Sequence, residues 1–288
     1  MSRWLANPLP ARRLRVQLRL ASVELARRGV VARSRVLSSR AISIEVSAGS
    51  QENPSEPWRG AVDTLAAALR EPRGRVGSVE IVLSDHFVRY LLIPWSERLV
   101  SDRERLGFAH LAFQDLYGRV AGAWDLCLDQ QPAGQASFAC AVDRALASSL
   151  RELVARAGGK LTALVPSLAD CISRHRSALD APEFCLAVAE PGRVSLAFYS
   201  PAGWQAVRSR RVDGPLPEML PTLLKQEMAV GGATERGVLY LCTDGLPGTA
   251  PFAVPGWRMV RLAERGIFTR PATDPQLGLS TNFDTGGL

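Results

Sequence analysis

The sequence predicts a two-lobed α/β protein whose mixed sheets pack against helices. The chain has 288 residues, of which 47% are apolar and 22% charged, so it is long enough and apolar enough to form two cores. In each half, strand-sized apolar runs precede helical patterns and further strands. No apolar run reaches the roughly 20 residues that a membrane-spanning helix needs. We therefore expect an α/β architecture that is duplicated in outline.

The first half alternates strands with helices after a loose basic leader over 1–12. Ser101 and Glu104 have the spacing of a capping box, and Gly118 is the expected end of the helix that they begin. The apolar face of this helix is expected to hold Leu106, Ala109, Phe113 and Leu116. Strands are predicted at about 13–26, 33–38, 41–47, 79–83, 87–95, 124–128, 137–142 and 161–165, and helices at about 58–70, 101–118, 143–157 and 167–175.

The second half opens with three strands joined by short turns that contain proline and glycine. These strands are predicted at about 184–190, 193–200 and 203–211, followed by a helix at about 216–230 and strands at 237–242 and 257–262. Residues 178–183 are the expected boundary between the lobes. The first lobe would span 1–178, including the basic segment 1–40, and the second, smaller lobe 179–288. The last twenty residues, rich in glycine, threonine and proline, predict a weakly ordered tail.

An ordered series of segments resembles a known family. The segment VEIVLSDHFVRYLLIPW, the helix that holds FAHLAFQDLYG, and then FACAVDRALASSLRELVARAGGKLTALVPSLAD follow one another as in the first lobe of the GspL/PilM group. These are actin-like cytoplasmic proteins of bacterial type II secretion and type IV pilus assembly. CLAVAEPGRVSLAFYSPAGWQAVRSRRVDG is similar to the hairpin that opens their second sheet. The series covers about residues 76–245.

The resemblance implies an actin-like fold, a duplicated ribonuclease H-like architecture with two mixed sheets of five strands. It also implies a non-catalytic cytoplasmic scaffold, peripheral to the inner membrane. The implied partner is the short cytoplasmic tail of a bitopic inner-membrane assembly protein. A degenerate actin-like ATP-binding protein or ATPase is the alternative function.

Actin-like ATPases hold phosphates with two hairpins, each usually built on Asp-x-Gly. The first is expected within AISIEVSAGS, which supplies Gly49 but no Asp-x-Gly. The second is expected within AVAEPGRV, where Glu190 and Gly192 flank Pro191, which has no amide donor. The sequence therefore predicts no catalytic residue and no cofactor.

Nucleotide binding without an intact pair of hairpins stays open as the alternative. If ATP and magnesium are bound, the resemblance assigns Glu190 and Gly192 to the phosphate side. It assigns Asp244 and Gly245, in the turn CTDGLPG, to the adenine side. Such turns are common in α/β proteins, so this assignment is the weaker of the two.

The strand over 87–95 contains the candidates for partner binding. Arg89 shares a strand face with Phe87 in an apolar run, so its charge needs an intramolecular partner, an exit to solvent, or a partner's peptide. Trp95 ends the strand, either as a plug at the rim of the core or as an interface anchor. The preceding Ser84-Asp85-His86 is interpreted as a polar hairpin turn, because adjacent residues cannot form a catalytic triad.

Positive charge is concentrated at the N-terminus. The chain carries a net +7, yet residues 1–40 hold ten arginines and one glutamate, which leaves the remainder slightly acidic. Alternation over 14–20 favours a strand with a solvated arginine face. Attraction to an anionic membrane surface through Arg12, Arg13, Arg15 and Arg19 is the alternative. Nucleic acid is disfavoured, because aromatic residues do not interleave with these arginines.

The cysteines and histidines do not form a recognisable metal motif. The five cysteines are an odd number without CxxC spacing, which favours buried free thiols in a reducing compartment. The three histidines are scattered, without a partner at ligand spacing, so no metal site is predicted. These residues are Cys127, Cys140, Cys171, Cys185 and Cys242, and His86, His110 and His175.

Overall fold

The computed structural model describes residues 13–28, 42–45, 56–70, 76–129, 131–231, 237–243, 246 and 250–262. The predicted leader over 1–12, the strand at 33–38 and the C-terminal tail lie outside these residues. The described helices include none with the length and apolar character needed to cross a membrane.

Thirteen strands and five α-helices make up the described part of the chain. The strands are β1 (Arg13–Leu18), β2 (Ser22–Arg28), β3 (Ile42–Glu45), β4 (Ser78–Leu83), β5 (Val88–Ile93), β6 (Trp124–Leu128), β7 (Ser137–Asp143), β8 (Lys160–Pro166), β9 (Phe184–Glu190), β10 (Arg193–Ser200), β11 (Gly203–Arg211), β12 (Gly237–Cys242) and β13 (Trp257–Arg261). The helices are α1 (Arg59–Arg70), α2 (Asp102–Tyr117), α3 (Arg144–Arg156), α4 (Ser167–His175) and α5 (Leu216–Gly231).

One compact unit comprises the described residues up to 83 together with residues 145–164, and it contains a sheet of order β3-β2-β1-β4-β8. Strand β1 pairs antiparallel with β2 and parallel with β4. Its apolar residues Val16 and Leu18 are fully buried, as are Ile81 and Leu83 of β4. Helix α1 contacts β1 and β2 and buries Leu65. The strands of this sheet therefore form the core against which the helix packs.

The other unit comprises residues 84–144 and 165–283, and it contains a second five-stranded sheet of order β11-β10-β9-β12-β13. Strand β9 pairs antiparallel with β10 and parallel with β12, as β1 does with β2 and β4. Apolar side chains of β9 and β10 pack with the leucines of α5, including Leu220 and Leu224. Both five-stranded sheets thus have the same strand order and directions at their centres.

A three-stranded antiparallel sheet of order β5-β7-β6 also belongs to the second unit. Helix α2 buries Ala109 and Phe113 against it. The predicted capping box is confirmed, since the Glu104 amide donates to Ser101 Oγ at 3.2 Å and the Ser101 amide to Glu104 Oε2 at 3.0 Å. Gly118 ends the helix with φ 73°, as predicted.

A chain of aromatic rings joins this small sheet to the second five-stranded sheet within the same unit. Tyr90 meets Phe138 at 6.1 Å between ring centroids, and Phe138 meets Trp204 at 5.3 Å. Trp204 then contacts Phe184 at 6.1 Å, and Phe184 contacts Tyr240 at 5.3 Å. Each of these contacts is edge-to-face, the geometry that ring quadrupoles favour.

Three sequence expectations about local structure are wrong. The single strand expected at 13–26 is a hairpin, in which the Arg19 amide donates to the Ser22 carbonyl at 2.9 Å. The arginine face of β1 is largely buried rather than solvated, because Arg15 and Arg19 are 7% and 6% exposed, and only Arg13 is exposed. Leu116, expected inside, is 61% exposed, since the buried face of α2 is narrow and centred on Ala109 and Phe113. The predicted lobe boundary at 178/179 stays a prediction.

Candidate functional site

The candidate site lies where the turn after β4 meets the turn between β9 and β10. Ser84 Oγ donates a hydrogen bond to the Glu190 carboxylate. His86 Nε2 lies 2.9 Å from the carbonyl oxygen of Pro191. Ser84 and Asp85 are each 1% exposed and Glu190 is 4% exposed, so the acids are withdrawn from solvent. Two segments 106 residues apart in sequence therefore form one buried polar cluster.

Asp85 occupies the centre of this cluster. Its Oδ1 accepts a hydrogen bond from the Tyr90 hydroxyl at 2.6 Å and another from the Leu168 amide at 3.2 Å. Leu168 lies in the first turn of α4, and Pro166 at the helix start offers no capping side chain. Asp85 therefore supplies an acceptor for a backbone amide that the helix itself cannot satisfy, and its negative charge suits the positive end of the helix dipole.

The two buried carboxyl groups influence one another. Burial, and next the charge of Glu190, raises the pKa of Asp85 from 3.8 to about 6. The hydrogen bonds from Tyr90, Ser195 and Leu168 act in the opposite direction on the pKa of Asp85, because they favour its charged form. The pKa of the Tyr90 hydroxyl is raised well above 10.0 by burial and by the neighbouring charge of Asp85. The pKa of Asp85 thus stays well above the ordinary value of a carboxyl group.

Basic groups border the acids. Arg89 Nη1 donates to the backbone carbonyls of His86 at 3.2 Å and Val88 at 3.0 Å. Arg193 Nη1 donates to Ser209 Oγ at 3.0 Å. Burial, and next the charge of Arg89, lowers the pKa of Arg193. Burial likewise lowers the pKa of His86, so the imidazole favours its neutral form. The cluster therefore combines two acids with two guanidinium groups and a neutral ring.

The β9–β10 turn is a two-residue connection between paired positions Glu190 and Arg193. Gly192 has φ 75°, a conformation that side chains other than glycine rarely adopt. Its carbonyl accepts a hydrogen bond from the Val212 amide at 3.1 Å. Pro191 precedes it and has no amide hydrogen. The turn is therefore fixed by its own sequence and by bonds from Ser84, His86 and Val212.

The structure distributes the residues predicted for a site among several environments. Glu190 and Gly192 lie in the cluster, whereas Asp244, Gly245 and Gly49 lie outside the described residues. The first sheet's equivalent of the β9–β10 turn is the β1–β2 turn at 19–21, not the segment at 41–50, and its sequence is Arg-Leu-Ala, without a glycine. The first hairpin of the first sheet therefore lies at β1–β2 and not within 41–50, where it was expected.

The partner-binding candidates differ in their exposure. Phe87 is 7% exposed and therefore belongs to the core. Arg89 is half-buried and bonded to nearby carbonyls, in line with the intramolecular interpretation of its charge. Trp95 is 40% exposed. The other large exposed apolar side chains of the described residues also lie close by in sequence, namely Val100, Phe108, Leu111, Leu116 and Val120.

The arginines of β1 were candidates for a membrane surface. Arg15 lies 3.8 Å from Glu80, and Arg19 is paired with Glu24. Because both side chains are buried, they are not available to a membrane, which corrects this part of the expectation. Arg13 is exposed, and Arg12 lies outside the described residues, so a membrane role for these two stays a prediction.

Sequence reasoning missed two groupings. The pairing of Asp85 with Glu190 had a weak signal, namely a run of three polar residues between two apolar strands. The structure also brings Cys171, His175 and Cys242 together, although the histidines seemed to have no partner at ligand spacing. The signal here was the separation of four residues between Cys171 and His175, which places both on one helix face.

Two sheets with the shared order and a hairpin at the start of each define an actin-like fold. The predicted fold class is confirmed, and so, at the level of fold, is the resemblance to the GspL/PilM group. No protein-family model matches the sequence, and no curated protein is similar to it in sequence.

Three solved structures illustrate this similarity. A PilM–PilN type IV pilus biogenesis complex matches with a TM-score of 0.57 and 14% identity, covering 82% of this chain and 83% of that one. A Bacteroides thetaiotaomicron protein with an actin-like ATPase fold and unknown function matches at 0.53 and 10%, covering 81% and 82%. The cytoplasmic domain of EpsL, an inner membrane component of the type II secretion system of Vibrio cholerae, matches at 0.51 and 12%, covering 88% and 90%.

Proposed function

We propose that this chain is a non-catalytic, cytoplasmic scaffold of a type IV pilus or type II secretion assembly platform. Its partner is the short cytoplasmic tail of a bitopic inner-membrane protein. Two of the similar structures are a PilM–PilN type IV pilus biogenesis complex and the cytoplasmic domain of an inner membrane component of a type II secretion system. These similarities support the proposal. The observation on which it mainly rests is that the β9–β10 turn contains a proline and is bonded to Ser84 and His86.

A turn that binds phosphate must offer free backbone amides and a carboxylate that can reach a metal ion or its waters. In this chain the amide at position 191 is missing, because the residue is proline. The Glu190 carboxylate accepts from Ser84, and the Pro191 carbonyl lies against His86. The carboxylate and the turn carbonyl are therefore already bonded within the chain, which favours partner binding over nucleotide turnover.

The exposed apolar residues between Trp95 and Val120 support partner binding. Leu111, on the side of α2 away from the buried Ala109 and Phe113, is 64% exposed, and Leu116, in the last turn of the helix, is 61% exposed. Exposed apolar side chains are common at protein interfaces, and tryptophan is a common anchor there. We define Trp95, Val100, Phe108, Leu111, Leu116 and Val120 as the α2 surface and assign the partner's tail to it.

The first test measures nucleotide binding. Thermal unfolding of the wild type with and without millimolar Mg-ATP is expected to show no change, since ligands that bind the folded state raise the melting temperature. Asp115→Asn, an exposed acid on α2, serves as the control for nonspecific charge effects. A rise of several degrees that disappears in Glu190→Ala would establish the alternative, a degenerate actin-like ATP-binding protein.

Hydrolysis is tested separately, because the Asp85–Glu190 pair is the feature that favours the alternative. Carboxylates at this place could hold magnesium or accept a proton from water. Phosphate release from ATP is expected to be at the background rate in the wild type and in Asp85→Asn alike. Release that is above background in the wild type and lost in Asp85→Asn would overturn the non-catalytic assignment.

The second test measures partner binding. Fluorescent peptides with the sequences of the cytoplasmic tails of the host's PilN-type and other bitopic secretion proteins are titrated with the protein, and anisotropy is recorded. At least one tail is expected to bind, and Leu111→Asp is expected to weaken it by roughly 10-fold or more, as at an interface centre. Arg156→Asp, an exposed substitution on α3, is the matched control. Binding that is unchanged by Leu111→Asp and Trp95→Ala would place the tail elsewhere.

A further inference from the structure

Three buried side chains with metal-binding chemistry meet in the second unit. Cys171 and His175 belong to α4, and Cys242 is the last residue of β12. The two sulfur atoms and a ring nitrogen all lie within 4.8 Å of one another. Each of the three residues is 1% exposed. They therefore form a compact group that is closed to solvent.

The local structure explains why these residues meet. Positions four apart on an α-helix lie on the same face, so Cys171 and His175 point in one direction. Helix α4 contacts β9, and β12 is the parallel neighbour of β9 with Cys242 opposite Val188. The end of β12 thus brings a second thiol to the helix face. Helix, strand and sheet each contribute to the arrangement, which no local sequence motif would reveal.

We propose that Cys171, His175 and Cys242 form a buried zinc site that ties α4 to the second five-stranded sheet. Thiolate and imidazole ligands suit Zn²⁺ or Cu⁺ rather than magnesium or calcium. Two thiolates and a neutral imidazole balance the charge of Zn²⁺, whereas Cu⁺ would leave a net negative charge in the interior. The balance of charge therefore favours zinc.

The observed separations are close to those of an assembled site. Zinc–sulfur bonds of about 2.3 Å and zinc–nitrogen bonds of about 2.0 Å in a tetrahedron place ligand atoms roughly 3.5–3.8 Å apart. The limit of 4.8 Å in the structure is larger by about 1 Å, a distance that rotation of the side chains can close. A water molecule would complete the four ligands. Three protein ligands with a water is the set that catalytic zinc sites use, but all three residues are closed to solvent, so we assign the site a structural role.

Zinc binding would also affect the candidate functional site, because both sites use residues of α4. The first turn of this helix donates the Leu168 amide to Asp85 at 3.2 Å. The metal ligands Cys171 and His175 lie in the following turns of the same helix. A zinc ion would therefore hold the helix that presents this amide, and it would increase the stability of the second unit by binding only to its folded form.

The test uses the full chain, purified under reducing conditions and stripped with a chelator. Addition of Co²⁺, a spectroscopic substitute for zinc, is expected to give the thiolate charge-transfer band and the strong visible bands of tetrahedral cobalt at one ion per chain. Zinc should then displace cobalt and raise the melting temperature by several degrees. Because these readouts need only the wild type, they do not depend on whether a variant folds.

Variants assign the ligands. Cys171→Ala, Cys242→Ala and His175→Gln are each expected to weaken zinc binding by more than the roughly 10- to 100-fold typical of losing an outer-shell partner. Cys127→Ala, which removes a half-buried thiol outside the group, should bind zinc like the wild type. Circular dichroism checks that each variant is folded.

The proposal is overturned if the reduced wild type binds no zinc at micromolar concentrations. It is also overturned if folded Cys171→Ala and Cys242→Ala bind zinc as tightly as Cys127→Ala. Formation of a Cys171–Cys242 disulfide in air, without metal binding by the reduced protein, would assign the pair to redox chemistry and equally exclude the zinc site.

Discussion

The two five-stranded sheets share their strand order but differ in the charge that each buries near its first hairpin. In the first sheet the buried groups are the cations Arg15 and Arg19, each beside a glutamate. In the second sheet the buried group is the acid Glu190, which is bonded to a serine and lies near another acid, Asp85. One hairpin is stabilised by opposite charges, whereas the other holds like charges together.

This difference shows that two sheets with the same strand order can bury side chains of opposite charge at their first hairpins. A buried ion pair is costly to break, because removing one partner leaves the charge of the other uncompensated. A buried pair of acids remains tolerable only if one acid is protonated or if hydrogen bonds and cations compensate. The following predictions use substitutions to break or sharpen this comparison, from the largest effect to the smallest.

The largest effect is expected from Arg19→Ala. It leaves Glu24 without the cation that faces it, and it should lower the free energy of unfolding by about 3 kcal/mol. Glu190→Gln keeps an acceptor for Ser84 and removes the repulsion with Asp85, so it should change stability by less than about 1 kcal/mol. Urea unfolding of both variants measures the contrast. Equal losses in the two variants would show that the hairpins are stabilised in the same way.

The second prediction concerns pH. Since the pKa of Asp85 is about 6 in the folded protein against an ordinary 3.8, the folded state binds more protons between these values than the unfolded state does. The free energy of unfolding should therefore fall as the pH rises from about 4 to about 6, by roughly 3 kcal/mol in total from this group.

The measurement is the difference between the wild type and Asp85→Asn in urea unfolding across this pH range. The difference should vary with pH, because the amide does not titrate. Asp115→Asn, at an exposed position, should instead follow the wild type at every pH. Parallel curves for the wild type and Asp85→Asn would contradict the raised pKa of Asp85.

A smaller loss is expected from Gly192→Ala. With φ at 75°, alanine should cost about 1 kcal/mol or slightly more, although the space around an added Cβ is ordinary, with His86 Cε1 at 3.7 Å. Gly107→Ala, on the exposed side of α2 with no atom within 4 Å, should raise stability by about 0.5–1 kcal/mol instead. Thermal unfolding decides both signs, and a stable Gly192→Ala would show that the turn is not held in this conformation.

The last prediction concerns binding to a membrane surface rather than stability, through the basic N-terminal segment up to the start of the first sheet. Arg12 and Arg13 are the remaining candidates for attraction to anionic lipid, worth about 1 kcal/mol per arginine at the surface. Arg12/Arg13→Ala should reduce co-sedimentation with anionic vesicles at low salt. Arg258→Ala, in the edge strand β13 of the second sheet, should not reduce it. Equal sedimentation of all three proteins would remove the membrane contribution.

The sequence predicted most elements, because their signals are local. Ser101, Glu104 and Gly118 define the ends of α2 by capping alone, and alternating apolar residues reveal the strands. The turn inside 13–26 escaped prediction because Arg19-Leu20-Ala21 contains neither glycine nor proline, although the apolar alternation changes phase there, from Leu18 and Leu20 to Val23 and Leu25. Local patterns therefore identify elements more reliably than they locate a turn without turn residues.

The candidate site was only half predictable. Glu190 and Gly192 followed from the expected hairpin, whereas the sequence predicted only a polar hairpin turn at Asp85. Asp85 is buried by β9 and α4, which are distant in sequence, and by Tyr90, which the fold brings against it. No local pattern predicts such contacts. The metal group was hidden for the same reason, since Cys242 reaches α4 only through the parallel pairing of β12 with β9.

The bonds that Ser84 and His86 make to the β9–β10 turn have a physiological consequence. In a protein whose turn is ordered by a bound nucleotide, the folded population depends on the energy charge of the cell. Under the proposed function, the bonds from Ser84 and His86 would take the place of that ligand, and the order of the turn would not vary with ATP. Under the proposed function, such an assembly component would keep its shape in a starved cell and leave the response to energy supply to other parts of the machine.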